Sequence, residues 1–283
     1  MSTQAASWRV GSLRGEAAKL PAFLRRDLLV AWSYRTAFFS DFANLGAQML
    51  LFFYIGKLVP QDSLPTYGGV QATYIEFVTL GLVINVFVQV ALTRIATALR
   101  QEQLMGTLEA LLVTPTATGT VQVGSAIFDL IYMPVRTAVF LCFTVLFAGV
   151  DLEASGILPA LLVLLAFIPF VWGLGIACAA GILTFKRGAG AMSLAALLLG
   201  VTSGAFFPLE LLPHWMATLA EYNPLAIAIE GLRNALLAGT GWDGVDRDVI
   251  ILATQSTLTL LAGSALFRLA LRREQRRGTL GLY

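Results

Sequence analysis

Hydrophobic and polar positions alternate along this chain in blocks of about twenty residues rather than at short periods. Six apolar runs, near Ala37–Leu58, Tyr74–Ala96, Thr120–Val150, Ile157–Phe185, Ala189–Phe207 and Val249–Leu271, are each long enough to cross the hydrocarbon of a bilayer as a helix. The third and fourth exceed a minimal span, which predicts tilt or kinking, with Pro134 and Pro169 as the natural kink points. Ahead of the first run, between Glu16 and Tyr34, the residues Leu20, Phe23, Leu24, Leu28, Leu29 and Trp32 share one helical face. Lys19, Arg25, Arg26 and Asp27 lie opposite, the pattern of a helix resting in the membrane interface. Pro208 to Asp248 breaks the rhythm. Its apolar part, Leu225–Ala238, is too short to cross and carries Glu230, Arg233 and Asn234, while Pro208, Pro213 and Pro224 divide the stretch.

Composition agrees with a membrane chain: of 283 residues, 57% are apolar and 13% charged, against about 25% charged in soluble domains. A net charge of +2 is too small to argue for nucleic acid. Cys142 and Cys178 both lie in apolar runs without metal-site spacing, and the single histidine, His214, leaves little room for a catalytic or metal constellation. No cleavable signal peptide is expected, because the first apolar run starts only near Ala37.

Basic residues orient the spans. Arg9, Arg14, Lys19, Arg25, Arg26 and Arg35 precede the first, Arg94 and Arg100 follow the second, Lys186 and Arg187 follow the fourth, and Arg268, Arg272, Arg273, Arg276 and Arg277 close the sixth. Asp62, Asp151 and Glu153 mark the opposite loops, so both termini are expected in the cytoplasm, with Lys57 snorkelling outward as the exception.

The cytoplasmic stretch Arg100–Pro115 is the longest amphipathic pattern between two spans. Leu104, Leu108, Leu111 and Leu112 recur at helical spacing against Arg100, Gln101, Glu102, Gln103 and Glu109, and Pro115 ends the helix. Such a helix suits docking to a partner outside the membrane; composition by itself favours a helix lying on lipid head groups.

The wording Gln101 to Pro115, with its Gly106-Thr107-Leu108-Glu109 core, resembles the coupling helix of type-2 permeases of ABC exporters. A second block, Ser203-Gly204-Ala205-Phe206-Phe207-Pro208-Leu209-Glu210-Leu211-Leu212-Pro213 followed by Asn223-Pro224-Leu225 and Glu230-Gly231-Leu232-Arg233, is similar to the same family. Gln101 and Gln103 depart from it, since relatives often carry more charge there. The resemblance implies an all-α integral membrane protein with six transmembrane helices. It adds an N-terminal amphipathic interfacial helix, a cytoplasmic coupling helix and re-entrant outer helices between spans five and six. The expected divisions are 1–36 for the tail and interfacial helix, 37–271 for the transmembrane domain and 272–283 for a basic cytoplasmic tail. Within the second, 100–113 is the coupling helix and 208–248 the outer re-entrant region.

The implied function is the permease subunit of an ATP-binding cassette exporter in the cell's plasma (inner) membrane. It works as a homodimer in membrane lipid and moves an amphiphilic substrate outward. Coupling to the ATPase subunit is assigned to Arg100, Glu102, Gly106, Thr107 and Glu109. The outer gate is assigned to Phe207, Pro208, Glu210, Glu230 and Arg233. Gly200 and Gly204 form a G-x-x-x-G pair in the fifth run that suits either a dimer seam or a contact inside the subunit. Ala177 and Gly181 make a weaker pair of the same kind. Phe42, Phe53 and Arg136 are pathway candidates; lipid-facing aromatics are the alternative for the first two. Asp129 suits a shallow position at the end of its span. The chain holds no G-x-x-x-x-G-K-[ST] motif, and its Gly56-Lys57 is followed by leucine. No cofactor or metal is expected on this chain; ATP and magnesium belong to the partner ATPase, and no chemistry is expected here. Two other readings are an integral-membrane lipid-modifying enzyme, which lacks the clustered His, Asp or Cys it needs, and an ATP-independent channel or transporter, for which no ion relay is visible.

Overall fold

The computed structural model describes residues 18–33, 35–60, 64–92, 124, 127–185 and 189–277. Among these the chain is mainly helical: α1 (Leu20–Ser33), α2 (Arg35–Gly56), α3 (Tyr74–Val90), α4 (Ile127–Ala148), α5 (Ile157–Phe185), α6 (Ala189–Val201), α7 (His214–Glu221), α8 (Pro224–Leu236) and α9 (Asp246–Arg277). A two-stranded antiparallel hairpin, β1 (Thr66–Tyr67) and β2 (Val70–Gln71), joins α2 to α3, with Tyr67 opposite Val70. Among the described residues three windows, Ile131–Ala148, Ala154–Ile182 and Asp246–Ala270, are long and apolar enough to cross a membrane; Phe42–Gly56 and Tyr74–Val90 are shorter apolar helices.

The core is built around α3. It buries residues on every side, with Phe77, Leu80, Ile84 and Phe87 almost fully enclosed, and Phe87 meets Phe167 of α5 at 6.4 Å between ring centroids. The outer faces of the long helices remain apolar, for example Leu258, Leu261, Leu266 and Leu269 on α9, as suits a helix whose solvent is lipid. Among the described residues the most extensive helix pair is α5 with α9. A Cβ built on Gly173 would lie 2.5 Å from the Leu260 nitrogen and the Thr259 carbonyl carbon, and one on Gly263 would strike the Gly173 carbonyl. These two glycines bring the backbones into direct contact, the arrangement by which helices associate without a hydrophobic driving force.

The fourth expected run is met and the end of the fifth is corrected. α5 spans the expected Ile157–Phe185, and α4 and α5 run as continuous helices through Pro134 and Pro169. The fifth run was expected to reach Phe207, but α6 ends at Val201. There the Thr202 hydroxyl donates to the Leu198 carbonyl at 2.8 Å and the Ser203 hydroxyl to the Gly200 carbonyl at 2.6 Å. Gly204 then turns the chain at φ +67°. Side chains that return a hydroxyl to the preceding turn, followed by a left-handed residue, end a helix. The last helix is longer than its apolar run and continues to Arg277. The expected coupling helix, 100–113, lies outside the described residues.

Candidate functional site

One end of the bundle concentrates the polar chemistry. The connection from α2 to α3 reaches it as the hairpin, whose two-residue loop is Gly68-Gly69 at φ +60° and +81°. Consecutive positive φ values suit a tight hairpin turn and exclude most side chains at little cost to glycine. α3 then starts with a capping box: the Thr73 hydroxyl accepts from Glu76 N, and a Glu76 carboxylate oxygen accepts from Thr73 N at 2.7 Å. The other Glu76 oxygen accepts from Asp151 N at 3.4 Å, tying in the loop after α4.

α8 is fastened along its whole length. At its start the Asn223 side chain accepts from Leu225 N at 3.0 Å as the N-cap. Its amide donates to the Leu199 carbonyl at 2.9 Å and the Thr202 hydroxyl oxygen at 3.0 Å, both at the end of α6. At its end Glu153 N donates to the Leu236 carbonyl at 2.8 Å. Gly156 lies there directly on the Ala235 backbone, where any Cβ would collide.

Arg233 lies in the last turn of α8. It is 3% exposed, its Nη2 donates at 2.9 Å to both the Phe77 carbonyl of α3 and the Gly204 carbonyl, and its Nε reaches the Phe77 carbonyl at 3.3 Å. The guanidinium carbon lies 3.5 Å from the centroid of the Phe77 ring. A buried guanidinium is tolerable only when its donors and charge find partners; here two carbonyls accept from Nε and Nη2, and the Phe77 ring face lies against the charge. Glu230, one helical turn earlier, approaches Nη1 at 3.8 Å and accepts from the Tyr67 hydroxyl of β1 at 3.1 Å. Burial pushes the Tyr67 phenol well above its ordinary range, and the neighbouring Glu230 carboxylate adds to the shift. Partial burial likewise raises Glu230, while Arg233 pulls it back.

These groups border a cleft of about 280 Å³ whose walls include Tyr67, Phe77, Pro208, Glu210, Glu230 and Arg233. Four of the five residues assigned to an outer gate therefore come together, and Phe207 lies half-buried beside them in the same turn. Tyr67, Phe77 and the Gly204 carbonyl were missed by the sequence reading. The hairpin signal around Gly68-Gly69 was the clue available for Tyr67; nothing in the sequence marks the carbonyls.

The other assignments are dispersed. Arg100, Glu102, Gly106, Thr107 and Glu109 lie outside the described residues. Gly200 is in α6 with open space at its Cβ. Gly204 is beyond the helix, where a Cβ would lie 3.0 Å from the Leu209 side chain. The two glycines therefore form no helical G-x-x-x-G ridge, because the left-handed turn intervenes. Gly181 is likewise open. Phe42 packs partly buried on the core, as does Phe52, which stacks on Phe206 at 5.4 Å. Phe53 instead carries Lys57, whose Nζ lies 4.8 Å from its ring and 5.1 Å from that of Tyr54. Arg136 is half-buried on α4; Asp129 belongs to the same helix, and its side chain is outside the described set.

A family model described as ABC-2 type transporter, a membrane domain, matches residues 19–237 of the chain. No curated protein matches it.

Proposed function

The chain belongs to the ABC-2 type transporter family, and from that membership we propose that it is the permease subunit of an ATP-driven exporter. It is a multi-pass membrane component of a transporter. The finer reading is that two copies enclose a pathway for an amphiphilic substrate in the plasma (inner) membrane and that separate ATPase subunits drive it. Arg100–Val113, with Glu102, Gly106, Thr107 and Glu109, is the helix on which the ATPase acts. Both termini face the cytoplasm, so the hairpin, α7 and α8 lie at the outer end. Pro208, Glu210, Glu230 and Arg233, with Phe207, form the outer closure. Substrate moves because the two end states bind it differently, with ATP and magnesium acting on the partner.

The observation that supports this most is the extent of the family match. Residues 19–237 take in both the coupling stretch and the end of the bundle built around Arg233. The chain has no phosphate-binding loop of its own, which agrees with an ATPase on another polypeptide.

Purification through a tag on this chain tests the reading. An ATPase subunit is expected to copurify, and the complex in lipid vesicles is expected to hydrolyse ATP and to move an amphiphile. Permease that is folded and inserted but recovers no ATPase from its native membranes would overturn it.

A further inference from the structure

We propose that the β1–β2 hairpin is a strap that holds the outer end of the subunit closed, with the Tyr67 hydroxyl as its catch. The proposal rests on the exporter reading, which supplies the outer side and the closed state.

The hairpin touches α8 and the turn that follows it. Tyr67 donates to Glu230 at 3.1 Å, and Gly68 sits on Ala238, whose Cα would be 3.1 Å from an added Cβ. Glu230 is also the ion-pair partner of Arg233. The links of Arg233 divide unequally between elements. The Phe77 carbonyl and ring belong to α3, which continues directly from the hairpin, whereas the Gly204 carbonyl belongs to the turn that ends α6. Hairpin, α3 and α8 therefore make one unit, and the bond to Gly204 is the place where Arg233 ties that unit to the turn after α6.

Tyr67 controls this bond through Glu230. With the hydroxyl in place the carboxylate has a second partner and stays beside Nη1. Without it the half-exposed carboxylate turns towards the cleft and draws the guanidinium off the Gly204 carbonyl. Two other ties to the same region, Tyr74 to the Phe206 carbonyl at 3.1 Å and Asn223 to the Leu199 carbonyl at 2.9 Å, do not depend on Tyr67. Release of the strap loosens the closure and leaves the fold intact.

The test uses Ser203→Cys as a reporter, because Ser203 borders the cleft and is 1% exposed. It is placed in a Cys142→Ala, Cys178→Ala background, in the ATPase-bound complex in lipid vesicles. Labelling by a charged, membrane-impermeant maleimide is followed without nucleotide and with ATP plus vanadate. Tyr67→Phe is expected to raise the nucleotide-free rate about fivefold, the effect of one lost hydrogen bond, and to leave the ATP–vanadate rate unchanged. Equal nucleotide-free rates with and without the hydroxyl would overturn the strap. An equal rise in both conditions would also overturn it, since that is general loosening. Ala226→Cys, at a second buried position on the cleft, replaces the reporter if Ser203→Cys prevents assembly. If the complex with native Tyr67 labels at one rate whatever the nucleotide, the exporter reading falls, and the strap with it.

Discussion

Phe77 supplies Arg233 with both a ring face, 3.5 Å from the guanidinium carbon, and a carbonyl oxygen, 2.9 Å from Nη2. One residue of α3 therefore anchors the last turn of α8 by two different interactions. A lysine ammonium cannot reproduce the planar fork that meets the Phe77 and Gly204 carbonyls together. Arg233→Lys is expected to lower stability by about 2 kcal/mol, and Arg233→Met, which also leaves Glu230 without its cation, by about 3 kcal/mol. Thermal unfolding of the detergent-solubilised protein checks this, and equal stability of all three proteins would refute it.

The contact between Gly173 and Gly263 leaves no room for a methyl group. Gly173→Ala places a carbon 2.5 Å from the α9 backbone and is expected to cost about 2 kcal/mol as the helices separate. Gly181→Ala on the same helix has open space and is expected to be neutral or stabilising by up to about 1 kcal/mol. Thermal unfolding of the two variants side by side decides the matter, and a Gly173→Ala protein as stable as Gly181→Ala would show that the helices separate at no cost.

Gly200 separates subunit folding from assembly. Its Cβ direction is empty within the single chain, so Gly200→Leu is expected to insert and fold as the unsubstituted protein does. If α6 forms the seam between two copies, the same substitution weakens the dimer by tenfold or more, about 1.4 kcal/mol. The mass of the particle in detergent, measured across a dilution series, reads this out. An unchanged dimer would place the seam elsewhere.

Glu109 carries the coupling proposal. Charge reversal at a partly buried contact replaces an attraction by a repulsion, so Glu109→Lys is expected to cost about 2 kcal/mol of ATPase association. Copurification and ATP turnover should fall together while insertion is retained. Unchanged values in both would remove Glu109 from the contact, and the same result for Gly106→Leu would remove the helix.

The long elements were legible because their signal is additive: twenty apolar residues in succession leave a helix as the one way to satisfy the backbone in lipid. α5 emerged at Ile157–Phe185 as read. The end of α6 did not, because Thr202 and Ser203 are apolar enough by context to extend a run, while their hydroxyls and Gly204 act locally to stop the helix. Glycine contacts inside the subunit were not legible from spacing. The close contact between α5 and α9 pairs Gly173 with Gly263, ninety positions apart on different helices, where no short interval marks them. Glu230 and Arg233 were legible as charges out of place in an apolar stretch. Their partners were not, because two are backbone carbonyls and the third is a tyrosine in a distant hairpin.

The placement of those partners also orders the building of the molecule. α8 is too short to stand alone across a bilayer and carries a cation and an amide that need acceptors. Every acceptor it uses at Leu199, Gly204 and Phe77 belongs to chain that is synthesised before it. The acceptors are thus in place by the time α8 leaves the ribosome, and its seating need not wait for α9. A ribosome-stalled chain in which Leu236 is followed by a flexible linker long enough to clear the exit tunnel should already protect an Ala226→Cys thiol from a charged maleimide, and one carrying Arg233→Met together with Asn223→Ala, which removes the donors of α8, should leave that thiol open.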